Sequence, residues 1–498
     1  MVRYSASREW TLGLHALIAR YGQLANAARG AEHRRGQQFN TLVADLLRHW
    51  GVDDVEVGVR GLDGVDEIDV TFRIGPTRYL LEAKWLAKPQ SSDAIVKLAG
   101  RVRQRLRGTR GIVLSMSGYT RHAAKTAQIG QQPDVIMLDR SHFEAILSGL
   151  LPPEDLIEEV ITNVARHGGV HVPLTDLVLQ RRPGPPPAFT IPPDETVQDQ
   201  LIREMAGGVS ARAILIGGPG WPEPEALSIH PDRHTLLVTT GDGIVAVDIR
   251  HGTTQWALPL PGCRGTAIVE PDGALLTVCN NAVVRWQAEK LEVIGGGFTG
   301  NSSLLSGPDG PAWVFDNTGT MYDNLVSLTG LGAGLGAEDR HQIDFSANVW
   351  NATWLERRRF FLAADGHSAV VDLDVSNHVD RSAWVESPQS GPRPLITRDA
   401  KSIITAAYDQ GVRGSLYQTS TTSGRSAQLA HLTVNRVHGM AIRDDRDAYL
   451  LADIRGNDPS PHPIVISVAG MGPFVSPQTR RSLAGPAPSD DTRDRQSS

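Results

Sequence analysis

Between residues 211 and 468 the chain is written in short β-branched runs broken by Gly, Asp and Asn, and the pattern recurs. Its unit is a short strand, an Asp-containing turn, a hydrophobic strand, then Gly or Asn before a third strand. Ala226-Leu-Ser-Ile-His-Pro-Asp with Thr235-Leu-Leu-Val-Thr is one instance, and Thr266-Ala-Ile-Val-Glu-Pro-Asp with Leu275-Leu-Thr-Val is another. Weaker copies begin near Ser303, Ala352, Pro394 and Gly439. One such unit cannot bury its own hydrophobic face, so a period of roughly 40 residues implies units stacked as the blades of a β-propeller. Turns every ~8–12 residues fit the same class. Six copies are visible; the strand-like Ala213-Ile-Leu-Ile-Gly217, joining the last repeat, would complete a seventh, so six or seven blades are expected.

The rest of the chain is differently composed. At 498 residues it exceeds one ordinary core and divides into domains. Up to about Thr175, helical and strand-like patterns alternate. Arg181-Arg182-Pro183-Gly184-Pro185-Pro186-Pro187, continuing to Pro192-Pro193, reads as a semi-rigid linker. The expected fold class is multidomain: a helical lead over 1–32, an α/β domain over 33–175, a Pro-rich linker over 176–210, the propeller over 211–476 and a disordered tail over 477–498. No apolar run approaches the ~20 residues that span a bilayer, and the N-terminus lacks a secretion signal. With Cys263 and Cys279 its only cysteines, the chain offers no disulfide framework and no Cys-based zinc site. A reducing cytoplasm and no membrane partner are expected.

Chemistry concentrates in one hairpin. A helix from His33 to Trp50 carries Phe39, Leu42, Val43, Leu46, Leu47 and Trp50 on one face and stops at Gly51. Strands Ile68 to Ile74 and Arg78 to Trp85 then meet at Gly75-Pro76. With that tight turn, residues whose numbers sum to 151 stand opposite each other, so Asp69 faces Glu82. Side chains alternate along a strand, which puts Lys84 on the face of Glu82 and turns Ala83 away. Two close carboxylates repel unless a cation lies between them. Hard oxygen ligands with open water positions suit Mg²⁺ or Mn²⁺, so Asp69 and Glu82 are candidate metal ligands. Such a metal polarises a phosphate and acidifies bound water, and Lys84 would orient that water and offset transition-state charge. The bland alternative is a cross-strand ion pair on a solvated face; the flanking Leu80-Leu81, Ile68 and Val70 argue for a packed hairpin instead.

These residues, in this order, resemble the PD-(D/E)XK nuclease superfamily and, within it, the Mrr-like type IV restriction endonuclease domain, over about His33 to Leu151. Gly36-x-x-Phe39 with Leu46-Leu47 and Gly51 is similar to the family's opening helix. Gly64-x-x-x-Ile68-Asp69 resembles its acidic loop and first metal ligand, and Leu81-Glu82-Ala83-Lys84-Trp85 its core strand. Gly111-Ile-Val-Leu-Ser-Met-Ser-Gly-Tyr-Thr, with Ala123-Ala124, and Ile136-Met-Leu-Asp-Arg, with Phe143 and Leu147, resemble the following strands and helices. The resemblance implies a Mg²⁺- or Mn²⁺-dependent DNA endonuclease with Asp69, Glu82 and Lys84 as catalytic residues. Two departures stand out: Asn40 replaces a Glu often found after the helix Phe, which points to one metal, and Asp66-Glu67 add acid to the loop. At the level of the repeat alone, the β region resembles WD-repeat and quinoprotein-like propellers; Val247-Asp248, Gly252 and Trp256 look like one quinoprotein-type blade signature.

The net charge of -6 does not suggest nucleic acid, but between Asp93 and Asp134 there is no acid at all. Lys97, Arg101 and Arg105 in that interval are candidate DNA contacts, of the sequence-independent phosphate kind. The solvated-face reading of the same run stands beside it. Trp50 and Trp85 are expected in the core, His122 on a helix surface, and both cysteines buried. The favoured reading is a DNA endonuclease joined to a propeller that recognises an unknown protein or ligand, as in a prokaryotic restriction or defence effector. The competing reading is a non-catalytic scaffold with a degenerate nuclease domain. Double-strand cutting needs two sites, the one argument for a homodimer.

Overall fold

The computed structural model describes residues 8–26, 32–61, 67–128, 134–179, 189–192, 202–205, 208–218, 221–305, 312–317, 325–332, 334–345, 349–356, 358–364, 367–374, 385–386, 395–396, 402–409, 413–420, 426–434, 436–444, 446–454 and 462–471. The prolines 183–187, Pro193, Asp66 with most of its loop, and the tail 477–498 lie outside them.

The α/β domain begins with α1 (Arg8–Ala25) and α2 (Glu32–His49). A five-stranded sheet follows in the order β1 (Asp53–Arg60), β2 (Glu67–Ile74), β3 (Thr77–Lys84), β4 (Arg110–Ser115) and β5 (Val135–Asp139). The first three strands run antiparallel and the last three parallel. Between and after them lie α3 (Ser92–Arg103), α4 (Arg121–Gln128), α5 (Arg140–Ser148), α6 (Pro153–His167) and α7 (Leu174–Leu179). The three- and four-residue spacing on α2 does what it implies: Phe39, Leu42, Val43, Leu46 and Leu47 are buried, each contributing roughly 1.5–3 kcal/mol. Gly51 then takes a left-handed φ of 78°. Val70, Phe72, Leu81 and Ala83 join the core shared with α1, α2 and α5. Leu80, Val113 and Met137 pack with Ile95, Leu98 and Val102 of α3.

Six sheets form the propeller among the described residues: blade 1 (Pro224–Leu258), blade 2 (Cys263–Gly296), blade 3 (Ser302–Asp344), blade 4 (Val349–Glu386), blade 5 (Leu395–Leu432) and blade 6 (Arg436–Ala469). The first strand of each blade neighbours the first strand of the next, and that of blade 6 neighbours that of blade 1, so the ring closes. The segment from Ala213 does join the last repeat. As β8 (Ser210–Gly217) it pairs with His462–Ala469, and it closes the sixth blade rather than starting a seventh. Within the stretch read as linker, β6 (Phe189–Thr190) extends blade 6 beside β8, and β7 (Ile202–Met205) extends blade 5.

The two units are packed together. One continuous apolar cluster runs from Leu14, Phe39 and Leu147 to Leu260 and to Cys263 and Val293 of blade 2. At its edge Asn280 Nδ2 donates to Leu150 O at 2.8 Å, Gly297 N to Ser148 O at 2.9 Å and Leu291 N to Thr175 Oγ1 at 3.1 Å. Gly149 caps α5 at φ 85°, and a Cβ there would come within 2.7 Å of Asn281 Cβ, so both backbone and space require glycine. The helical lead is part of this junction: His15 on α1 sits against Gly297 O and the Arg340 guanidinium.

Candidate active site

The register expected from the tight turn is the one observed. Val70 pairs with Leu81, Thr71 with Leu80 and Ile74 with Thr77. The paired ladder ends there, one step short of Asp69 and Glu82. Beyond it the Asp69 carboxylate takes over from the missing backbone partner, accepting from Ala83 N at 2.9 Å through Oδ2. Lys84 Nζ then lies 2.5 Å from Glu82 Oε1 and 3.7 Å from Asp69 Oδ2. The three residues picked out in the sequence therefore converge on one ammonium group.

Two further side chains complete the cluster. Arg101, on α3, donates to Glu82 Oε2 at 3.0 Å. In the sequence it is a candidate DNA contact; the fold sets it against the acidic site, with Lys97 one helical turn away on the same helix. Lys97 and Arg105 are exposed, and Arg105 falls beyond the helix end at Arg103. The side chain of Asn40, one residue after Phe39, helps hold the Asp69 carboxyl in its charged form. Asn40 Oδ1 is buried and accepts no hydrogen bond among the described residues. Burial, and next the Glu82 charge, push the Asp69 carboxyl above its usual range, against the opposing pull of Lys84, Ala83 N–H and Asn40. Glu67 turns to the edge strand, with Oε2 3.4 Å from Arg60 Nε.

The donor set suits a divalent cation. Two carboxylates, one with its pKa raised by burial and then by the other's charge, beside an unsatisfied buried amide oxygen, offer hard oxygen ligands to a Mg²⁺ or Mn²⁺. Such an ion would compete with Arg101 for Glu82 and with the proton for Asp69.

A second cluster, Asp139, His142 and His171, has its donors already committed. Asp139 Oδ1 accepts from Ser141 N at 2.9 Å and Ser141 Oγ at 2.6 Å, and Oδ2 from His171 Nε2 at 2.9 Å. His142 Nε2 donates to Val172 O at 2.8 Å. Burial works to raise the Asp139 carboxyl, but hydrogen bonds from both histidines outweigh it and hold the group far below the usual range. The cluster caps α5 and ties it to the segment at His171. Trp85 is buried against Phe39 and Tyr21, Trp50 packs edge-on to Trp10, and His122 is exposed. Cys263 and Cys279 are buried cross-strand neighbours.

Sequence spacing could not have reached Arg101 or the orientation of Asn40. Each depends on how a helix from elsewhere in the chain crosses the hairpin.

Residues 32–147 match the family model of the Mrr catalytic domain, described as a restriction endonuclease. No curated protein matches the chain. Among solved structures, XC5397 of Xanthomonas campestris, described as a gluconolactonase, is similar at 13% identity and a TM-score of 0.39, over 58% of this chain and 99% of that one. TolB from Acinetobacter baumannii is similar at 14% identity and a TM-score of 0.33, over 43% of this chain and 55% of that one. Hsv2 of Kluyveromyces lactis is similar at 12% identity and a TM-score of 0.31, over 47% and 72%. The match thus spans about half the length of TolB, and likenesses this distant carry no argument about activity.

Proposed function

We propose that this chain, whose residues 32–147 form a restriction endonuclease domain of the Mrr type, is a divalent-metal-dependent DNA endonuclease that hydrolyses phosphodiester bonds. The observation that carries the reading is the convergence of Asp69, Glu82 and Lys84 at the splayed end of the β2–β3 hairpin. Asp69 and Glu82 would hold a Mg²⁺ or Mn²⁺, with Asn40 Oδ1 beside them. Such an ion, when bound, supplies Lewis-acid polarisation of the phosphate and a water of lowered pKa. Lys84, freed from the carboxylates, offers a positive charge where negative charge develops on the phosphate, and a donor to orient the attacking water. Arg101 balances Glu82 in the resting site and becomes available to a DNA phosphate when that carboxylate takes a metal. Lys97 and Arg105 add phosphate contacts beside it.

The domains proposed from the sequence fit this division of labour. The propeller recognises a protein or ligand, and the architecture suits a prokaryotic restriction or defence effector in the cytoplasm. Among the described residues no helix is long and apolar enough to cross a membrane. Two copies acting together would cut both strands.

The substrate is tested by incubating the full chain with duplex DNA and with RNA of the same sequence, with Mn²⁺ or with EDTA. Scission of the DNA alone, abolished by EDTA, is the expected result; scission that persists in EDTA overturns the reading. Two further outcomes follow from the geometry. Replacing Lys97 and Arg105 by Ala should weaken duplex binding without altering fold, and lower the steepness of log K against log salt by about 0.9 for each lost phosphate contact. An unchanged salt slope, measured by anisotropy, removes these residues from the DNA interface. Because the proton and the metal compete for Asp69, Mn²⁺ affinity should keep rising with pH beyond the ordinary aspartate pKa of about 4 and level off above the raised value. Calorimetric titration at several pH values decides this, and a plateau already reached near that value contradicts it.

A further inference from the structure

A cavity of about 530 Å³ opens where blade 6 meets blade 1, lined by residues of the propeller and of the segment that follows β6. Arg212 of β8, Arg233 and Arg250 of blade 1 and Arg443 of blade 6 all line it, and no lining residue is Asp or Glu. Among the described residues none of the four guanidiniums forms an ion pair. Arg250 Nη2 instead lies 3.3 Å from His234 Nε2. Several other arginines of the chain do pair with acids, among them Arg285 with Glu270, Arg73 with Asp53 and Asp54, and Arg358 with Asp339. Four arginines around one opening, with no acid among the residues that line it, concentrate positive charge there. Arg233 moreover holds a left-handed φ of 61°, a conformation few non-glycine residues adopt.

The convergence of like charges from three separate chain segments costs self-repulsion unless an anion relieves it. Guanidinium forks match phosphate oxygens in pairs. The cavity also has an apolar side, formed by Ile214, Ile249 and the ring of the buried Tyr449. Its volume falls within the ~300–1,000 Å³ of small-molecule sites. Several phosphates beside a flat apolar group describe one ligand class.

We propose that this cavity binds a nucleoside di- or triphosphate, the phosphates held by Arg212, Arg233, Arg250 and Arg443 and the base against the apolar wall. The site belongs to the propeller and does not rest on the nuclease reading. Calorimetric titration of the full chain with ATP in EDTA tests it without calling on metal or on DNA cleavage. Binding is expected, adenosine should bind at least ~10-fold more weakly, and Arg250→Ala and Arg443→Ala should each weaken ATP binding by at least ~10-fold, the loss of one charge-assisted hydrogen bond. Lys290→Ala, an exposed residue of blade 2 paired with Glu292, should leave ATP binding as it was. Should Arg443→Ala fail to fold, Arg250→Ala, at an exposed position, decides alone. No heat from ATP at millimolar concentration overturns the proposal, as does ATP binding indifferent to the folded variants. Capture of a DNA duplex through the same arginines, with no binding of ATP, also overturns it and makes the surface a nucleic-acid contact.

Discussion

Replacing Lys84 by Ala is expected to lower metal-dependent DNA cleavage by about 10²–10³-fold, the range found when one group that stabilises transition-state charge is removed, with little change in folding stability. The side chain is partly exposed and fills no cavity in the core, so its loss leaves no void. It does leave Asp69 and Glu82 facing each other without their ammonium group, so the same variant should bind Mn²⁺ at least as well as the parent. Lost cleavage with retained metal binding separates a role in chemistry from a role in assembling the site. If Lys84→Ala cleaved DNA at the parental rate, the residue would be a bystander and Glu82 merely its ion-pair partner. Arg101→Ala differs in kind: it removes the guanidinium that pairs with Glu82, and with it the phosphate contact proposed for that residue.

The second large effect is expected at the junction of the two units. Arg340 lies with its guanidinium 5.2 Å from the Phe298 ring centroid, donates to Gly296 O at 3.1 Å and approaches Glu338 at 3.7 Å. Glu338 in turn accepts from Gly296 N at 3.1 Å. Burial pushes the Glu338 carboxyl up and that of Asp316 up to about 6, and Arg340 pulls both down. Burial, followed by the Arg340 charge, lowers His15 to about 3, so its imidazole meets Arg340 in the neutral form. Removing one partner of a buried pair strands the other in a poor solvent, so Arg340→Ala should cost about 3–5 kcal/mol. Urea unfolding of the full chain measures it. A midpoint matching that of the parent would mean that Glu338 is neutral at working pH and that the pair holds nothing. Because Arg340 also touches His15 on α1, the loss should loosen the packing of the α/β domain on blades 2 and 3 and increase protease cleavage between them.

What could be read from the sequence depended on how local the cause was. The hairpin register follows from Gly75-Pro76 alone, and the core of α2 from Phe39 and the leucines that recur behind it. The blade starts near Ser303, Ala352, Pro394 and Gly439 fall within a few residues of Ser302, Val349, Leu395 and Arg436 because each blade repeats one strand-and-turn grammar. The last strand was harder. Ala213-Ile-Leu-Ile-Gly217 looks the same whether it closes the sixth blade or opens a seventh, and ring geometry decides between them. The role of Arg101 was hidden for a similar reason. In a run of alternating basic residues nothing distinguishes the arginine that α3 turns toward Glu82 from those that face water. A proline-rich stretch also gives no sign that the strands beside it, β6 and β7, will extend two blades.

The central claim, that Asp69, Glu82 and Lys84 form one metal-dependent nuclease site, is tested most directly on supercoiled plasmid. The full chain and its Asp69→Ala, Glu82→Ala and Lys84→Ala variants, each shown to be folded, are incubated with Mg²⁺ or Mn²⁺, and nicked and linear products are followed over time. The account predicts product from the parent alone, with each substitution reducing the rate by at least about 10²-fold. Metal-dependent nicking that survives all three substitutions would contradict it.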